Sequence, residues 1–467
     1  MKCILLSMAL IVSSNSYAQL PERPPQYVMM AFDGSYSLSM WQETLDLAKN
    51  QPFRFTYFIS GTYFLLEKNK LVYTEPTHGP GKSAIGWGGS SVPNLIKRVG
   101  YVNEAFDEGH EIASHANGHF DGGTWTLPQW NSEITQFYHL IFDIYKINAV
   151  PSPVVDNPFH FNAGEIVGFR APLLGRNASM YQTLNDFHYS YDTSQTAATN
   201  YWPQIKNTVW NFPLADLRIA GSGKRTLSMD YNFYFTQSKG LPDPKNYKTY
   251  KTEMMNTYRN YFKGNYYGNR APLNIGHHFS KWNDGAYWDA LKDFSQEICG
   301  LPEVKCVNYK EYLAYVSSLD PATLAAYQKG EFEKLPPEQM LSFLRETPAA
   351  LEVDLELPLN TKGDQLKIAL KDPQHALARK SLVYVWQLNG REIFRSANTG
   401  FHLGQIRSLL RPADVISVAL LVENKEIQKT SHKVLRITTN RIRFDSEDLE
   451  LESLKGDMPA AHLNEPL

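Results

Sequence analysis

Two histidines separated by three residues, His115 and His119, give the clearest chemical signal in this chain. They lie in the segment SHANGH (114–119), where the Asn-Gly pair favours a loop over a helix. Two imidazoles at this spacing can bind one divalent metal ion, and zinc suits nitrogen ligands of this kind. The alternative interpretation is a pair of solvated surface histidines without a ligand.

Four further polar side chains occur in order along the chain and could complete a hydrolytic site. They are Asp33 in MMAFDG, Arg170 in GFRAP, Asp192 in SYDTS and His278 in NIGHH. Hydrolysis of an amide requires an activated water, a site for the developing oxyanion and an acid for the leaving amine. A metal ion would lower the pKa of a bound water and polarise the acyl carbonyl. The set therefore predicts a metal-dependent hydrolase.

Each of these residues is assigned a role by its chemistry. Asp33 would accept the proton of the attacking water, and His278 would protonate the departing nitrogen. Asp192 could orient the imidazole of His278 and keep it charged. Arg170 would pair with Asp33, lowering the pKa of that carboxylate and fixing its direction.

Three of these assignments have alternatives that the sequence leaves open. His277 could replace His278, because neighbouring residues of a strand point to opposite sides. Arg170 could instead form a structural salt bridge at the end of a barrel. Asp192 could be a turn residue that satisfies backbone amides, since Asp-Thr-Ser favours turns.

The candidate residues follow predicted strands. Between residues 26 and 318, strand-like apolar runs alternate with amphipathic helical stretches, which is typical of βα units and a parallel sheet or barrel, with its chemistry at the carboxyl ends of the strands. Strands are predicted at Val28–Phe32, Arg54–Ile59, Glu111–Ser114, Ile166–Arg170, Tyr189–Asp192, Val209–Phe212 and Pro272–His278. Helices are predicted at Trp41–Lys49, Val92–Glu108, Pro128–Ile147 and Tyr287–Ile298.

Two inserts, residues 65–91 and 222–269, interrupt this pattern and are predicted as loops. Trp87 and Tyr231 within them could form a groove wall that stacks on sugar rings, and Trp210 is a third candidate for substrate contact. The alternative is that these aromatic side chains simply pack the loops onto the sheet.

Composition narrows the classes of partner. The 467 residues carry a formal net charge of -2 and a sequence pI near 6.7, which gives no basic surface for nucleic acid or anionic lipid. No feature indicates a protein partner. Residues 1–18 resemble a signal peptide cleaved after Ala18, and no later run is apolar enough for a transmembrane anchor, so a periplasmic or secreted protein is expected. In that compartment Cys299 and Cys306 are predicted to form a disulfide.

The character of the chain changes after the predicted barrel. A helical linker is expected at residues 319–347, followed at 348–440 by short alternating strands that indicate a small immunoglobulin-like β-sandwich. Trp386, in the run VYVWQLNG, resembles the buried tryptophan of such modules. Residues 441–467 form an acidic stretch and a tail rich in Pro and Ala, predicted to be disordered.

The segment 26–318 resembles the polysaccharide deacetylases of carbohydrate esterase family four, with spacing closer to animal chitin deacetylases than to short bacterial forms. The motifs that carry the resemblance are FD (32–33), SHANGH (114–119), RAP (170–172), YDTS (191–194), WNFP (210–213) and NRAP (269–272) followed by His278. The resemblance implies a distorted (β/α) barrel that removes N-acetyl groups from glycans such as chitin, chitooligosaccharide or peptidoglycan.

One position departs from the family pattern, because Gly34 stands where the family usually has the second of two aspartates. In an ungapped alignment the missing carboxylate is a metal ligand, and Asp33 itself could complete the coordination shell. If Asp33 corresponds to the ligand, the general base is missing, and the domain would be a noncatalytic glycan-binding protein. An O-acetyl esterase acting on acetylated xylan would need the same residues and stays a further alternative.

Overall fold

The computed structural model describes residues 20–151, 157–335 and a set of strands between 354 and 444. The described residues divide into two compact units, one formed by residues up to 335 and one by residues from 354 onward. Residues 1–19, and with them the predicted signal peptide, lie outside the described residues, as do residues 336–347 of the predicted linker and most of the predicted tail.

The strands of the first unit are β1 Gln26–Gly34, β2 Phe55–Ile59, β3 Thr74–Glu75, β4 Gly79–Pro80, β5 Glu111–Ser114, β6 Gly168–Phe169, β7 Tyr191–Asp192, β8 Thr196–Ala197, β9 Gln204–Lys206, β10 Val209–Asn211, β11 Leu214–Arg218, β12 Arg225–Leu227, β13 Leu273–His278 and β14 Val304–Val307. Its helices are α1 Leu38–Ala48, α2 Val92–Asp107, α3 Leu127–Phe142, α4 Ile144–Ile147, α5 Ala178–Asp186, α6 Asp230–Ser238, α7 Tyr247–Tyr266, α8 Trp282–Ile298, α9 Tyr309–Ser318 and α10 Pro321–Lys329.

A nine-stranded sheet organises this unit, in the order β13-β1-β2-β5-β6-β7-β10-β9, with β14 also paired to β1. All pairs are parallel except β9 with β10. The predicted α/β class is therefore confirmed. The sheet is open, since its end strands β13 and β9 are not neighbours in it, so the barrel prediction holds only in part.

A small second sheet lies beside β13, in the order β12-β11-β8. Its connection to β13 is direct, because the Gly276 amide donates to the Ser228 carbonyl at 2.8 Å and Ser228 Oγ donates to the Asn274 carbonyl at 2.5 Å. A Cβ at Gly276 would meet Met229 Cε at 2.7 Å, so a larger residue there would require the Met229 side chain to shift.

The two faces of β1 show how the sequence pattern builds the layers. Tyr27, Met29 and Ala31 pack in a buried cluster with strand residues across the sheet and with Tyr309 and Tyr312 of α9. The intervening Phe32 instead contacts Phe279 and Trp288 on the opposite side. Since successive strand residues face opposite sides, Asp33 lies on the same face as α9. Helix α9 thus covers the inner face of the sheet beneath Asp33.

Insert 222–269 is not a loop, contrary to prediction, since it contains helices α6 and α7. The tyrosines that suggested a groove wall mostly serve packing, and Tyr250, Tyr258, Tyr261 and Tyr266 of α7 are buried. Insert 65–91 is closer to the prediction, with a 3-10 helix at Glu67–Val72 and the short hairpin β3–β4.

Cys299 and Cys306 are joined by a disulfide that links the end of α8 to β14, as predicted. Among the described helices, none is long and apolar enough to cross a membrane.

The described residues of the second unit are β-strands: β15 Asp354–Glu356, β16 Gln365–Lys367, β17 Ala369–Lys371, β18 Leu382–Leu388, β19 Arg391–Ser396, β20 Gly400–His402, β21 Val415–Val422, β22 Lys425–Ile437 and β23 Ile442–Phe444. Five form an antiparallel sheet in the order β19-β18-β21-β22-β23, with Trp386 buried on β18. The immunoglobulin-like arrangement stays a prediction. Strand β23 falls within the tail predicted as disordered, and it is ordered by its pairing with β22.

Candidate active site

Four of the predicted residues meet at the carboxyl edge of the main sheet. Asp33 and His278 are adjacent in the register of β1 and β13, at the ends of both strands. His115 directly follows β5, and Arg170 directly follows β6. Ends of parallel strands on one edge bring residues that are distant in sequence into one place.

Asp33 and Arg170 form a buried ion pair at the centre of this edge. Arg170 Nη1 donates to Asp33 Oδ1 at 2.6 Å, and the two side chains are 0% and 3% exposed. Arg170 Nε donates to Thr193 Oγ1 at 2.7 Å, and Nη2 donates to the Tyr309 hydroxyl at 3.3 Å. The guanidinium also lies over the ring of Phe58 at 4.4 Å. Each side of the cation is therefore used, which fixes the direction of the Asp33 carboxylate.

The environment of Asp33 favours the carboxylate form. Burial raises the pKa of Asp33, but the positive charge of Arg170, with His115 and His278, outweighs burial and holds the pKa below its ordinary value. Asp33 is consequently a carboxylate at neutral pH and is able to accept a proton.

His115 and His119 face each other, with ring centroids 5.1 Å apart. His115 Nδ1 donates to the Arg170 carbonyl at 2.7 Å, which leaves Nε2 with its lone pair free. That Nε2 and His119 Nδ1 are both buried without a hydrogen-bond partner. Burial lowers the pKa of both rings, that of His119 to about 3, so both are neutral at pH 7. Buried neutral imidazoles with free nitrogens fit a metal ion.

The loop between the two histidines is held from below by α3. Glu133 Oε1 accepts from the Asn117 amide at 2.9 Å, and Asn117 Nδ2 donates to the Glu133 carbonyl at 2.8 Å. Tyr73 donates to the other oxygen of Glu133 at 2.8 Å. Ala116 and His119 have φ of 50° and 60°, a left-handed conformation that such contacts must maintain.

The third ligand of a typical zinc site is not provided by these residues as they stand. Within the residues that the structure describes, no group of three or more His, Cys, Asp or Glu side chains is arranged to hold a metal ion. Gly34 has φ of +97°, which favours glycine over an aspartate. His115 and His119 therefore offer two ligands, with Asp33 beside them committed to Arg170.

His278 is held by Asp230, a residue that the sequence analysis missed. The first oxygen of Asp230 accepts from His278 Nδ1 at 2.7 Å, and the second accepts from the His278 amide at 2.8 Å. The side chain of Asp230 is 2% exposed and that of His278 is 23% exposed, so the acid candidate is within reach of solvent. Burial lowers the pKa of His278, but Asp230 outweighs it and raises the pKa above 6.5.

The choice between the adjacent histidines follows from strand alternation. His277 pairs in register with Phe32 and is buried at 1% exposure, with Nε2 3.0 Å from the Tyr258 hydroxyl of α7. Burial lowers the pKa of His277 to about 4. His277 thus lies on the face covered by α7, and His278 lies on the other face, beside Asp33.

Asp192 does not orient His278, contrary to prediction. Its oxygens accept from the Ser194 amide at 3.0 Å and from the Tyr181 hydroxyl of α5 at 3.1 Å. The preceding residue Tyr191 packs in the inner cluster, so Asp192 points to the opposite face of the sheet. The turn interpretation is the correct one, and Ser194 Oγ in turn accepts from the Ala171 amide at 2.7 Å, next to Arg170.

The three aromatic candidates lie in different surroundings. Tyr231 is the one nearest the site, with its ring 6.2 Å from His278. The ring centroid of Trp87 lies 6.3 Å from that of Tyr73. The ring centroid of Trp210 lies 6.4 Å from that of Phe212, at the margin of the inner cluster. Trp210 therefore serves packing, as the strand periodicity of WNF could have indicated. Trp282, which the sequence analysis did not single out, lies 5.3 Å from His278.

Comparisons with known proteins concern mainly the fold. No protein-family model matches the chain, and no curated protein matches it. The chain is similar in structure to a Mycobacterium smegmatis protein named as a candidate polysaccharide deacetylase, with 13% identity, 65% and 97% of the two chains covered and a TM-score of 0.40.

Two other similar structures carry related names. One is the CE4 domain of a multidomain xylanase from the hindgut metagenome of Trinervitermes trinervoides, with 13% identity, 64% and 94% coverage and a TM-score of 0.34. The other is the peptidoglycan deacetylase PdaC from Bacillus subtilis, with 11% identity, 65% and 97% coverage and a TM-score of 0.31. The chemistry of the site is therefore argued from the side chains described above.

Proposed function

We propose that the first unit is a metal-dependent hydrolase that removes N-acetyl groups from polysaccharides built of N-acetylglucosamine, such as chitin, chitooligosaccharide or peptidoglycan. The observation that carries the proposal is the placement of a carboxylate, two free imidazole nitrogens and a carboxylate-bound histidine around one edge of the sheet. The motif resemblance supplies the glycan as substrate. The disulfide and the signal-like start support export to the periplasm or the medium.

A divalent metal, with zinc as the first choice, would be held by His115 Nε2 and by His119. When bound, such an ion makes a water more acidic and draws charge from the acyl carbonyl. The chain contributes fixed ligand geometry, because the Arg170 carbonyl sets the ring orientation of His115.

The two proton transfers are assigned to residues on two neighbouring strands, β1 and β13. Asp33, ionised under the influence of Arg170, accepts a proton from the attacking water. His278, whose pKa is raised by Asp230, donates a proton to the departing nitrogen. Arg170 and Asp230 act through Asp33 and His278 and are positioning residues.

The proposal is tested by measuring acetate released from chitooligosaccharide, from peptidoglycan fragments and from acetylated xylan by the mature protein. The assay is run after chelation and again after zinc or cobalt is returned. Metal-restored release from the N-acetylated substrates supports the proposal, and His119→Ala should abolish it together with metal binding. Acetate release from acetylated xylan alone would indicate an O-acetyl esterase in place of an N-deacetylase.

A noncatalytic glycan-binding role is the second candidate, and the observation that favours it is the left-handed Gly34 in place of a carboxylate ligand. It predicts that glycan affinity survives His119→Ala and that no acetate appears with any metal. An unchanged rate of acetate release in His119→Ala would contradict the catalytic assignment of the histidine pair.

A further inference from the structure

An aromatic wall borders the acid candidate His278. We define this wall as Tyr231, at the start of α6, and Trp282, at the start of α8, both of them half-buried. The ring centroid of Trp282 lies 5.3 Å from that of His278, and the ring of Tyr231 lies 6.2 Å from it. The two wall rings contact each other at 5.3 Å with an interplanar angle of 67°.

The rings of the wall are supported from behind. Tyr234, which is 5% exposed, stacks on Trp282 at 5.2 Å with an interplanar angle of 5°. Tyr231 and Trp282 keep part of their surface in contact with solvent. A supported aromatic pair that stays partly exposed offers rigid apolar area at little cost in side-chain entropy.

The backbone after Trp282 is held in an unusual conformation. Asn283, Asp284 and Gly285 have φ of 53°, 61° and 80°, a run of left-handed residues within the first turns of α8. Asn283 maintains it, because its Oδ1 accepts from the Asp243 amide at 2.7 Å and its Nδ2 donates to the Tyr287 hydroxyl at 3.0 Å. Such strain persists where the surroundings over-determine it, so the backbone that follows Trp282 is held in one conformation.

One carboxylate ties the wall to the acid candidate. Asp230 accepts from the Tyr231 amide at 2.7 Å and from His278 Nδ1 at 2.7 Å through the same oxygen. The imidazole and the aromatic wall are therefore positioned as one unit.

The wall suits a neutral ligand. Its rings contact aromatic side chains, and the neighbouring cation Lys281 forms a salt bridge with Glu43, with 2.6 Å between Nζ and Oε1. A pyranose ring presents apolar C–H faces that suit aromatic surfaces and carries no charge. We propose that Tyr231 and Trp282 form a subsite for a neutral pyranose ring of the chain whose acetamido group is presented to the site. This inference rests on the proposed function and restricts its substrates to glycans, as opposed to small acetyl esters or amides.

The test is isothermal titration of the full-length mature protein with chitotetraose, with zinc and after chelation. We expect Trp282→Ala to weaken binding by about tenfold or more, and Trp282→Phe by only about threefold, because the smaller ring keeps a stacking face. Tyr231→Ala should weaken binding as well. Tyr145→Ala, which removes a half-buried aromatic ring on α4, is the matched control and should bind as the wild type does.

Each outcome decides the proposal. Wild-type affinity in Trp282→Ala and Tyr231→Ala, with thermal melting unchanged, would overturn it, and so would a wild-type protein that binds no chitotetraose. If Trp282→Ala fails to fold, Trp282→Phe and Tyr231→Ala still decide. Acetate release is measured separately. Binding that depends on Trp282, without acetate release, would refute the hydrolase and support the subsite. Acetate release without Trp282-dependent binding would support the hydrolase and refute the subsite.

Discussion

Asp230 is the carboxylate that sets the state of His278, although 48 residues separate them. Asp192, the residue predicted for this role, lies on the other face of the sheet and is bound to Tyr181. A local motif could not reveal Asp230, because it begins a helix in an insert whose composition suggested loops. Contacts between a strand end and a distant helix depend on the tertiary fold, which spacing in the sequence does not record.

Asp230→Asn should lower the upper pH limit of acetate release. Asp230 raises the pKa of His278 above 6.5, so His278 keeps its proton above that pH in the wild type. Without the charge the pKa falls, and the alkaline limb of the rate profile should move to lower pH, with a rate loss of about 100-fold at neutral pH. The measurement is kcat against pH. Asp192→Asn is the matched control and should leave the position of that limb in place.

Arg170→Met should destabilise the protein as well as inactivate it. The substitution leaves Asp33 buried without its partner, which costs about 3 to 5 kcal/mol in similar cases. The loss in free energy of unfolding is measured by chemical denaturation of Arg170→Met and of the double variant Arg170→Met/Asp33→Asn. The double variant should recover much of the lost stability because no charge is left buried, while acetate release stays absent. Equal stability of the single variant and the wild type would contradict the buried ion pair.

At the scale of elements, the backbone conformation at the end of β1 disfavours an aspartate at position 34, where the resembled deacetylases usually have one. Gly34→Asp should not improve catalysis, because its φ of +97° strains any side-chain-bearing residue by about 1 to 3 kcal/mol. Gly34→Ala provides the control, and both variants should show a similar fall in melting temperature. A rise in zinc affinity for Gly34→Asp alone, measured by calorimetry, would show that the backbone adapts to the new ligand.

Helix α3 supports the histidine loop, and Glu133→Ala should expose this support. The buried carboxyl holds Asn117 between the two histidines, so its removal should lower zinc affinity by about 10- to 100-fold. Glu133→Gln keeps one acceptor and should recover most of that affinity. The comparison is made by zinc titration at equal folded fraction, judged by circular dichroism. A zinc affinity of Glu133→Ala equal to that of the wild type would show that α3 does not position the histidine loop.

Much of the element order could be predicted from the sequence. The strands of the main sheet were located because their apolar runs end in polar residues, as at Phe32-Asp33 and Ile112 to Ser114. Helix α7 was not, since its apolar positions are filled by tyrosines that also occur in loops. The choice of His278 over His277 needed only the register of β13 against β1, which the structure supplies.

For the whole molecule, the buried carboxyl of Glu111 should make stability depend on pH. Burial raises the pKa of Glu111 from 4.5 to about 7, although it accepts from Tyr191, Thr56 and Lys310. The folded protein therefore binds this proton more tightly than the unfolded chain does, and stability falls as pH rises from 4.5 towards 7.

Glu111→Gln should remove this pH dependence. Between pH 4.5 and 7, the free energy of unfolding of the variant should rise relative to that of the wild type by about 3 kcal/mol or less, so that the variant gains stability relative to the wild type as pH rises. Urea denaturation at several pH values measures it. A parallel decline of both proteins with pH would show that other groups control the effect.

The contact between Tyr309 and Arg170 also bears on when the site becomes complete. A chain is synthesised amino end first, so the segment from Asp33 to His278 emerges before α9. Helix α9 then fills the inner face of the sheet, and Lys310 joins it to Glu111 of β5. We therefore expect the Arg170 guanidinium to gain its last partner only when the carboxyl-terminal part of this unit has emerged and folded, so that the site is completed late in the biogenesis of the chain.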